Sequence, residues 1–337
     1  MLETRKCRRF LLGCALMSLS VFLLSFHSTR LTRVSRAQQY SIPSQIPQNN
    51  TVIKYPLDFV YPYNYSFILN EPDKCRHGDP FVVILILTQA HAIGNRHAIR
   101  QTWGNESLVP GVSLVRLFLL GMPKHFTNEL QEMLEDESKL FHDIIQQNFM
   151  DTYINLTIKT MMGLQWVSTF CPNVSYIMKI DDDMFLNTEH LVKFLNPKVP
   201  GKKDYFTGYV VKGTRPVRAE WYRYYLPKEL YEPDYFPPYC GGPGYLLSGD
   251  MAKKIYDIAH VIKPFHVEDA FMGVCLEKLK VAITVAPKSF FNGHKIAYEK
   301  CQYSKLITVH HFGPDELLKL WPDFTTAKEL CQTNNTS

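Results

Sequence analysis

Ser175-Tyr176-Ile177-Met178-Lys179-Ile180-Asp181-Asp182-Asp183-Met184-Phe185-Leu186-Asn187 is the stretch on which the reading of this chain turns. A run rich in β-branched and aromatic side chains that stops at three acids is expected to be a buried strand delivering carboxylates to the edge of a sheet. Open α/β folds bind their ligands at that edge. Adjacent carboxylates repel unless a positive charge sits among them, and a hard divalent cation that also holds phosphate oxygens is the usual solution. A bare D-x-D pattern is more often an acidic turn capping the next helix, here expected over 188–195, so the flanking sequence has to decide.

Upstream, residues 81–88 form a continuous apolar run of the kind expected for a strand covered on both faces. A polar turn over 89–95 leads to a helix over 96–103, with Arg96 and Arg100 one turn apart on one face. A strand over 113–120, an acidic amphipathic helix over 127–140, a short strand at 143–145 and a helix over 156–170 follow. This alternation implies an α/β fold with a mostly parallel sheet, and it puts Thr88 and Asp181 to Asp183 on one rim. Downstream come a strand over 205–210 and an aromatic, proline-punctuated segment over 221–239 that suits no regular element. Gly241, Gly242 and Gly244 after Cys240 suggest a tight backbone turn. Helices are expected over 250–259 and 270–279, the second preceded by His266-Val267-Glu268-Asp269. No internal repeat is visible.

The 337 residues, 46% hydrophobic, are ample for a sizeable core. The net charge of +5 is a property of one end: seven of the 37 Lys and Arg, against the single acid Glu3, fall in the first 36 residues. The remainder is near neutral and shows no basic stripe, which argues against nucleic-acid binding. Residues 10–26 are uncharged and mostly apolar and would span about 25 Å as a helix. That suits an uncleaved anchor in a thinner bilayer of the early secretory pathway. Arg5 to Arg9 then place residues 1–9 in the cytosol. Residues 27–74, rich in Ser, Gln, Pro, Asn and Tyr, read as a stem, and 75–337 as the lumenal body, with a soft boundary because the later aromatics Phe59, Tyr61, Tyr63 and Phe67 suit packing on the body. N-x-[ST] sites at Asn49, Asn64, Asn105, Asn155, Asn173, Asn334 and Asn335 agree with a lumenal body. So do Cys75, Cys171, Cys240, Cys275, Cys301 and Cys331, which allow three bridges in 15 connectivities. The absence of a C-x-x-C pair argues against zinc.

Several stretches together resemble the Golgi β-1,3-galactosyltransferases and their β-1,3-N-acetylhexosaminyltransferase relatives. They are Arg96-His97-Ala98-Ile99-Arg100-Gln101-Thr102-Trp103-Gly104, Phe118-Leu119-Leu120-Gly121, Asn155-Leu156-Thr157-Ile158-Lys159-Thr160 and Met178 to Phe185. Tyr205-Phe206-Thr207-Gly208, Phe236-Pro237-Pro238-Tyr239-Cys240, Val267-Glu268-Asp269 and Val309-His310 complete the series. The resemblance implies a GT-A type fold: a Rossmann-like nucleotide-sugar half (75–187) joined to an acceptor half (188–337), anchored in the Golgi membrane with the catalytic domain in the lumen. It implies transfer of galactose from UDP-galactose, with inversion and with Mn2+, to the 3-hydroxyl of N-acetylglucosamine or N-acetylgalactosamine on a glycoprotein or glycolipid. A homodimer is a further expectation.

By the same resemblance Asp183 is the direct metal ligand, Asp181 and Asp182 support the metal and the ribose of the nucleotide, and His310 completes the metal site, with His311 the competing assignment. Asp269 matches the catalytic base that an inverting displacement needs; Glu268 is the substitute. Arg96, Arg100 and Lys159 are candidates for the nucleotide, and Gly241 and Gly242 for the donor sugar; Trp221, Tyr224, Tyr225 and Tyr239 suit either stacking on an acceptor sugar ring or the core, with the core the commoner fate. Many galactosyl members read Cys-Ser-Gly-Thr-Gly and Asp-Ser-Asp where this chain has Cys240-Gly241-Gly242-Pro243-Gly244 and Asp181-Asp182-Asp183. These departures lean toward the N-acetylglucosaminyl branch, whereas Trp103-Gly104-Asn105-Glu106-Ser107-Leu108 and Cys240 lean back toward galactose. The rivals are β-1,3-N-acetylglucosaminyl or N-acetylgalactosaminyl transfer and a catalytically silent lumenal glycan-binding glycoprotein.

Overall fold

A computed structural model describes residues 65–76 and 78–333. The expected tail, the anchor and the stem up to residue 64 lie outside the described residues. Among the described residues no helix is long and apolar enough to cross a membrane. Residues 65–74, given to the stem on composition, belong to the folded body instead. There Phe67–Leu69 forms edge strand β1, antiparallel to β4 (Ile144–Met150). The ring of Tyr65 packs on Phe149 and that of Phe67 on Phe170. Their aromatic character, not their local period, decides their place.

Four parallel strands carry the sheet: β4, β3 (Leu114–Met122), β2 (Val82–Leu87) and β5 (Tyr176–Asp181). The antiparallel strands β8 (Tyr239–Ser248) and β7 (Phe206–Val211) extend it, giving the order β1-β4-β3-β2-β5-β8-β7. The all-apolar sequence of β2 is explained by its two covered faces. Val83, Leu85 and Leu87 enter a core layer with Ile158, Met162 and Trp166 of α3 (Leu156–Phe170). That layer also holds residues of α5 (Asp250–Ala259) and α6 (Glu268–Leu279). Val82, Ile84 and Ile86 enter the opposite layer, with α1 (Ile93–Gln101), α4 (Thr188–Leu195) and the first part of α8 (Pro314–Thr333). The acidic helix α2 (Asn128–Phe141) starts with the Thr127 hydroxyl accepting the Leu130 amide at 3.2 Å, a side-chain N-cap. The four-residue helix α7 (Lys300–Tyr303) precedes β9 (Thr308–His310), which pairs antiparallel with β6 (Met184–Leu186).

Two expectations are corrected. The glycines after Cys240 make no turn: they lie in β8, where Gly244 pairs with Ile180, and none has a positive φ. Glycine here serves close approach, since a Cβ on Gly244 would stand 3.3 Å from the Met178 side chain. Two disulfides form, Cys75–Cys171 and Cys301–Cys331, while Cys240 and Cys275 are buried free thiols whose pKa burial pushes up to about 12. Thiols held protonated in this way are unreactive.

Gly249, between β8 and α5, shows the tightest approach: a Cβ there would lie 1.8 Å from the carbonyl oxygen of Val174. Gly249→Ala is therefore expected to cost about 3 kcal/mol in urea unfolding. Gly94→Ala, whose nearest atom would be 3.8 Å away on Pro314, should be neutral or better. Equal stability of the two variants would contradict this packing.

Candidate active site

Strand register brings the acids to the rim. Leu87 pairs with Asp181, the Asp182 amide donates to the Leu87 carbonyl at 3.2 Å, and the Thr88 hydroxyl donates to Asp182 Oδ2 at 2.5 Å. Burial raises the Asp182 pKa, against the Thr88 and Asn95 hydrogen bonds that favour its ionised form. Asp183 enters the β5–β6 turn, and β6 pairs Met184 with His310 of β9, 126 residues downstream. The Phe312 amide closes this corner on the Asp183 carbonyl at 2.7 Å.

The pairing sets His310 Nε2 3.2 Å from Asp183 Oδ2, with His311 Nδ1 at 4.0 Å and the two imidazoles stacked 3.7 Å apart. One oxygen and two nitrogens thus lie within 4.8 Å of one another. His310 Nδ1 is 3.2 Å from the Gly293 carbonyl and donates to it, which turns Nε2 toward the carboxylate. A ring nitrogen and a carboxylate oxygen facing each other need a proton or a cation between them. Burial lowers the His310 pKa, but the Asp183 carboxylate outweighs it and the net shift is upward. Burial likewise raises Asp183, and His310 outweighs it downward. This mixed donor set fits a borderline divalent ion. Asp181 is not part of that grouping: its Oδ1 takes the Lys179 ammonium at 2.9 Å, and the third atom that completes the grouping belongs to His311.

Lys179 is the residue that the sequence understated. It lies within the apolar strand β5, 3% exposed, and its Nζ reaches Asp181 at 2.9 Å, the Gly242 carbonyl at 2.5 Å and Glu268 Oε2 at 3.8 Å. Burial lowers its pKa, but Asp181 and Glu268 reverse that, so the net shift is upward. Glu268 Oε1 accepts the hydroxyls of Tyr245 at 2.6 Å and Thr160 at 2.9 Å. Although it lines the cavity, Glu268 is 6% exposed and is engaged by Lys179 and two hydroxyls, which makes it a structural partner; burial raises its pKa despite Lys179. Asp269 is only partly buried; its Oδ1 accepts the Ala270 amide at 2.9 Å and its Oδ2 the Gly242 amide at 3.1 Å. Burial raises its pKa, and these two amides offset that only in part. A lone lysine in a buried strand was the one available signal of this network, because a charge there needs a partner.

The remaining candidates separate. Arg96 and Arg100 do not line the cavity. Arg96 is held by Glu137 at 2.6 Å, and Arg100 by Glu137 at 2.6 Å and Asp143 at 2.8 Å; Arg116 also pairs with Asp143. Their geometry suited phosphate, but α2 and Asp143, just before β4, supply carboxylates first. Lys159 does line the cavity, yet it is buried and donates to Asp151 at 2.6 Å and to the Thr88 carbonyl at 2.7 Å. It holds the residue whose hydroxyl holds Asp182. Gly242 lines the cavity, whereas Gly241 lies against Tyr209. The cavity, about 1210 Å³, is lined by Asp181, Asp182, Asp183, His310, His311, Glu268 and Asp269 together, by Tyr224 and Tyr239, which the sequence left open between sugar stacking and core, and by Tyr153 and Arg223, which it left unassigned.

Fold and site define an α/β protein with a cation-ready cleft at the carboxyl edge of its parallel strands. A family model described as Galactosyltransferase matches residues 94–287. The chain is 47% identical over 261 residues to beta-1,3-galactosyltransferase 2 of Homo sapiens and of Mus musculus, covering 77% of this chain and 62% of theirs. It is 43% identical over 274 residues to beta-1,3-galactosyltransferase 1 of Mus musculus, covering 80% of this chain and 82% of that protein. The chain belongs to the galactosyltransferase family. The match thus spans less than two thirds of the length of the beta-1,3-galactosyltransferase 2 proteins. Among solved structures, it is similar to a glycosyltransferase involved in the glycosylation of the major capsid of PBCV-1 (TM-score 0.38, 11% identity, 72% of this chain and 100% of that one). Another is the bifunctional WbbM in its apo form (TM-score 0.41, 8% identity, 74% and 52%).

Removing the Lys179 charge leaves Asp181 and Glu268 facing each other without a counter-ion. Lys179→Met is expected to lose about 3–5 kcal/mol in urea unfolding at neutral pH. The double variant Lys179→Met/Glu268→Gln should recover part of that loss. A single variant as stable as the parent would show that the buried charge holds nothing together.

Proposed function

We propose that this protein is an inverting glycosyltransferase of GT-A type that moves galactose from UDP-galactose to the 3-hydroxyl of a terminal N-acetylglucosamine or N-acetylgalactosamine on glycoprotein or glycolipid glycans, forming a β-1,3 linkage. The observation that carries the reading is the lining of one cavity by both the Asp183–His310–His311 cluster and a carboxylate, Asp269, that is independent of it. A pure glycan binder needs neither. The 47% and 43% identity to proteins named beta-1,3-galactosyltransferases supports galactose as the donor sugar. In this reading residues 10–26 anchor the chain in the Golgi membrane, with residues 1–9 cytosolic and the body lumenal.

Asp183, His310 and His311 would hold the divalent cation, Mn2+ in this reading, with Asp182 fixed beside them by Thr88. A cation there supplies charge neutralisation to a departing UDP, a contribution larger in the transition state than in the ground state. The chain's own part is to orient and to move a proton. Asp269, held by the Gly242 and Ala270 amides, accepts the proton of the acceptor 3-hydroxyl as that oxygen bonds to the anomeric carbon. The bond from that carbon to UDP breaks on the opposite face, and its electron pair leaves with UDP. One displacement gives inversion, and the carboxylate ends protonated.

With Mn2+ and a panel of glycan acceptors, the purified protein is expected to consume UDP-galactose in preference to UDP-N-acetylglucosamine and UDP-N-acetylgalactosamine. Asp269→Asn should keep Mn2+-dependent UDP binding and lose at least about 100-fold in turnover, whereas Asp183→Ala should lose the binding itself. Preference for another sugar would overturn only the galactose assignment; no turnover with any donor would overturn the transferase.

The pH dependence has a definite sign. Asp269 acts as a base only when ionised, and its pKa is raised in the folded protein. At saturating Mn2+, turnover is therefore expected to fall as pH drops through a value above the ordinary aspartate pKa of about 3.9. An acid limb at or below that ordinary value would argue against Asp269 as the base.

A further inference from the structure

The cavity has a wall that neither the cation cluster nor Asp269 uses, built in part by Thr214, Arg215, Val217, Arg223 and Tyr224. At about 1210 Å³ the cavity exceeds the usual range for a single small ligand, roughly 300–1,000 Å³. Val217 and Tyr224 belong to the two arms of one loop. Its neck is closed where the Leu226 amide donates to the Val217 carbonyl at 2.8 Å and Val217 bridges Tyr225. Leu226 is buried in the core, and the Arg218 guanidinium donates to the carbonyls of Leu226, Tyr231 and Pro233 at 2.5, 2.7 and 2.9 Å. Two further backbone bonds, from Tyr222 to Ala219 and from Tyr225 to Tyr222, set the tip.

This braced loop holds aromatic rings in water. Trp221 is 83% exposed, Tyr222 57% and Tyr224 43%, with the Trp221 and Tyr222 rings 6.4 Å apart. Tyr224 packs edge-on to Tyr153, and the Arg223 guanidinium lies 3.7 Å over the Tyr153 ring. Arg218 is spent on carbonyls, Arg223 lies on an aromatic face, and Arg215 donates to the Tyr235 hydroxyl and lies 4.6 Å over that ring. The guanidiniums of this wall are thus engaged within the protein, and the groups left to a ligand are mainly aromatic. That chemistry suits a neutral ligand with an apolar face and hydroxyl edges, which describes a sugar ring, better than an anionic one. Trp221 is two residues from a cavity-wall residue, at most about 7 Å along the chain. A ligand on it would therefore be continuous with one in the cavity.

We propose that Trp221 and Tyr222 form an outer glycan subsite that takes the second or third sugar of a neutral oligosaccharide whose terminal sugar lies in the cavity. This rests on the acceptor reading above and extends it: acceptors of three or four sugars are favoured over single sugars, and the loop over 217–226 sets that preference.

The test uses the full-length protein in detergent. Of its four tryptophans, Trp103 and Trp166 are fully buried and Trp321 partly so, which makes acrylamide quenching of fluorescence mainly a reading of Trp221. A neutral tetrasaccharide ending in N-acetylglucosamine should protect against quenching, while N-acetylglucosamine alone should not. Trp221→Ala should raise KM for the tetrasaccharide about fivefold and leave kcat and the KM of the monosaccharide glycoside unchanged. Its exposed position separates the change from folding, and an unchanged Tm checks this. No protection, equal loss on both acceptor lengths, or protection by phosphatidylcholine vesicles instead would overturn the subsite. Protection without turnover of any donor would overturn the transferase and leave the subsite standing; turnover without protection would do the reverse.

Discussion

One buried ammonium ties the two chemical ends of this site together. Lys179 lies in the strand that ends in the acids, and its Nζ meets Asp181, Glu268 and the Gly242 carbonyl. The amide of that same Gly242 holds Asp269. A desolvated charge is tolerated only when paired and hydrogen-bonded, so these groups have to arrive together. Strand β5, strand β8 and helix α6 are thereby fixed to one another at the point where the Asp183–His310–His311 cluster and Asp269 share a cavity.

The same constraint sorts the other charges. Arg96, Arg100 and Arg116 make a second buried network with Glu137 and Asp143, in which the guanidiniums hold both carboxylates below their ordinary pKa against the effect of burial. That network joins α1, α2, β3 and β4 and stays out of the cavity. Lys159 and Asp151 make a third pair beneath Thr88. The groups left with capacity for a ligand are those at the rim: Asp181, about one third exposed, Asp183 with its two histidines, and Asp269.

Much of the parallel sheet and of the helices around it was legible in the sequence. The apolar run of β2 and the abrupt acids after β5 fixed the parallel core, and the helices over 156–170, 188–195 and 250–259 stand where periodicity puts them. These elements are local: a period and a terminus suffice. The glycines of β8 were not legible, because glycine marks close approach as readily as a turn, and only the pairing with Ile180 tells the two apart. Arg96 and Arg100 suited phosphate by residue type, but which anion they meet depends on a helix 40 residues away.

The sequence by itself determined the class of fold, the acids at the sheet edge and the family to which they point, since each rests on residue type and short-range order. The tertiary structure alone decided which side chains share the site. It set His310 and His311 against Asp183 through the β6–β9 pairing, gave Glu268 to Lys179 and left Asp269 facing the cavity. The physical reason is that a buried charge is placed by its partner, and here the partners are distant in sequence and meet only when the sheet closes.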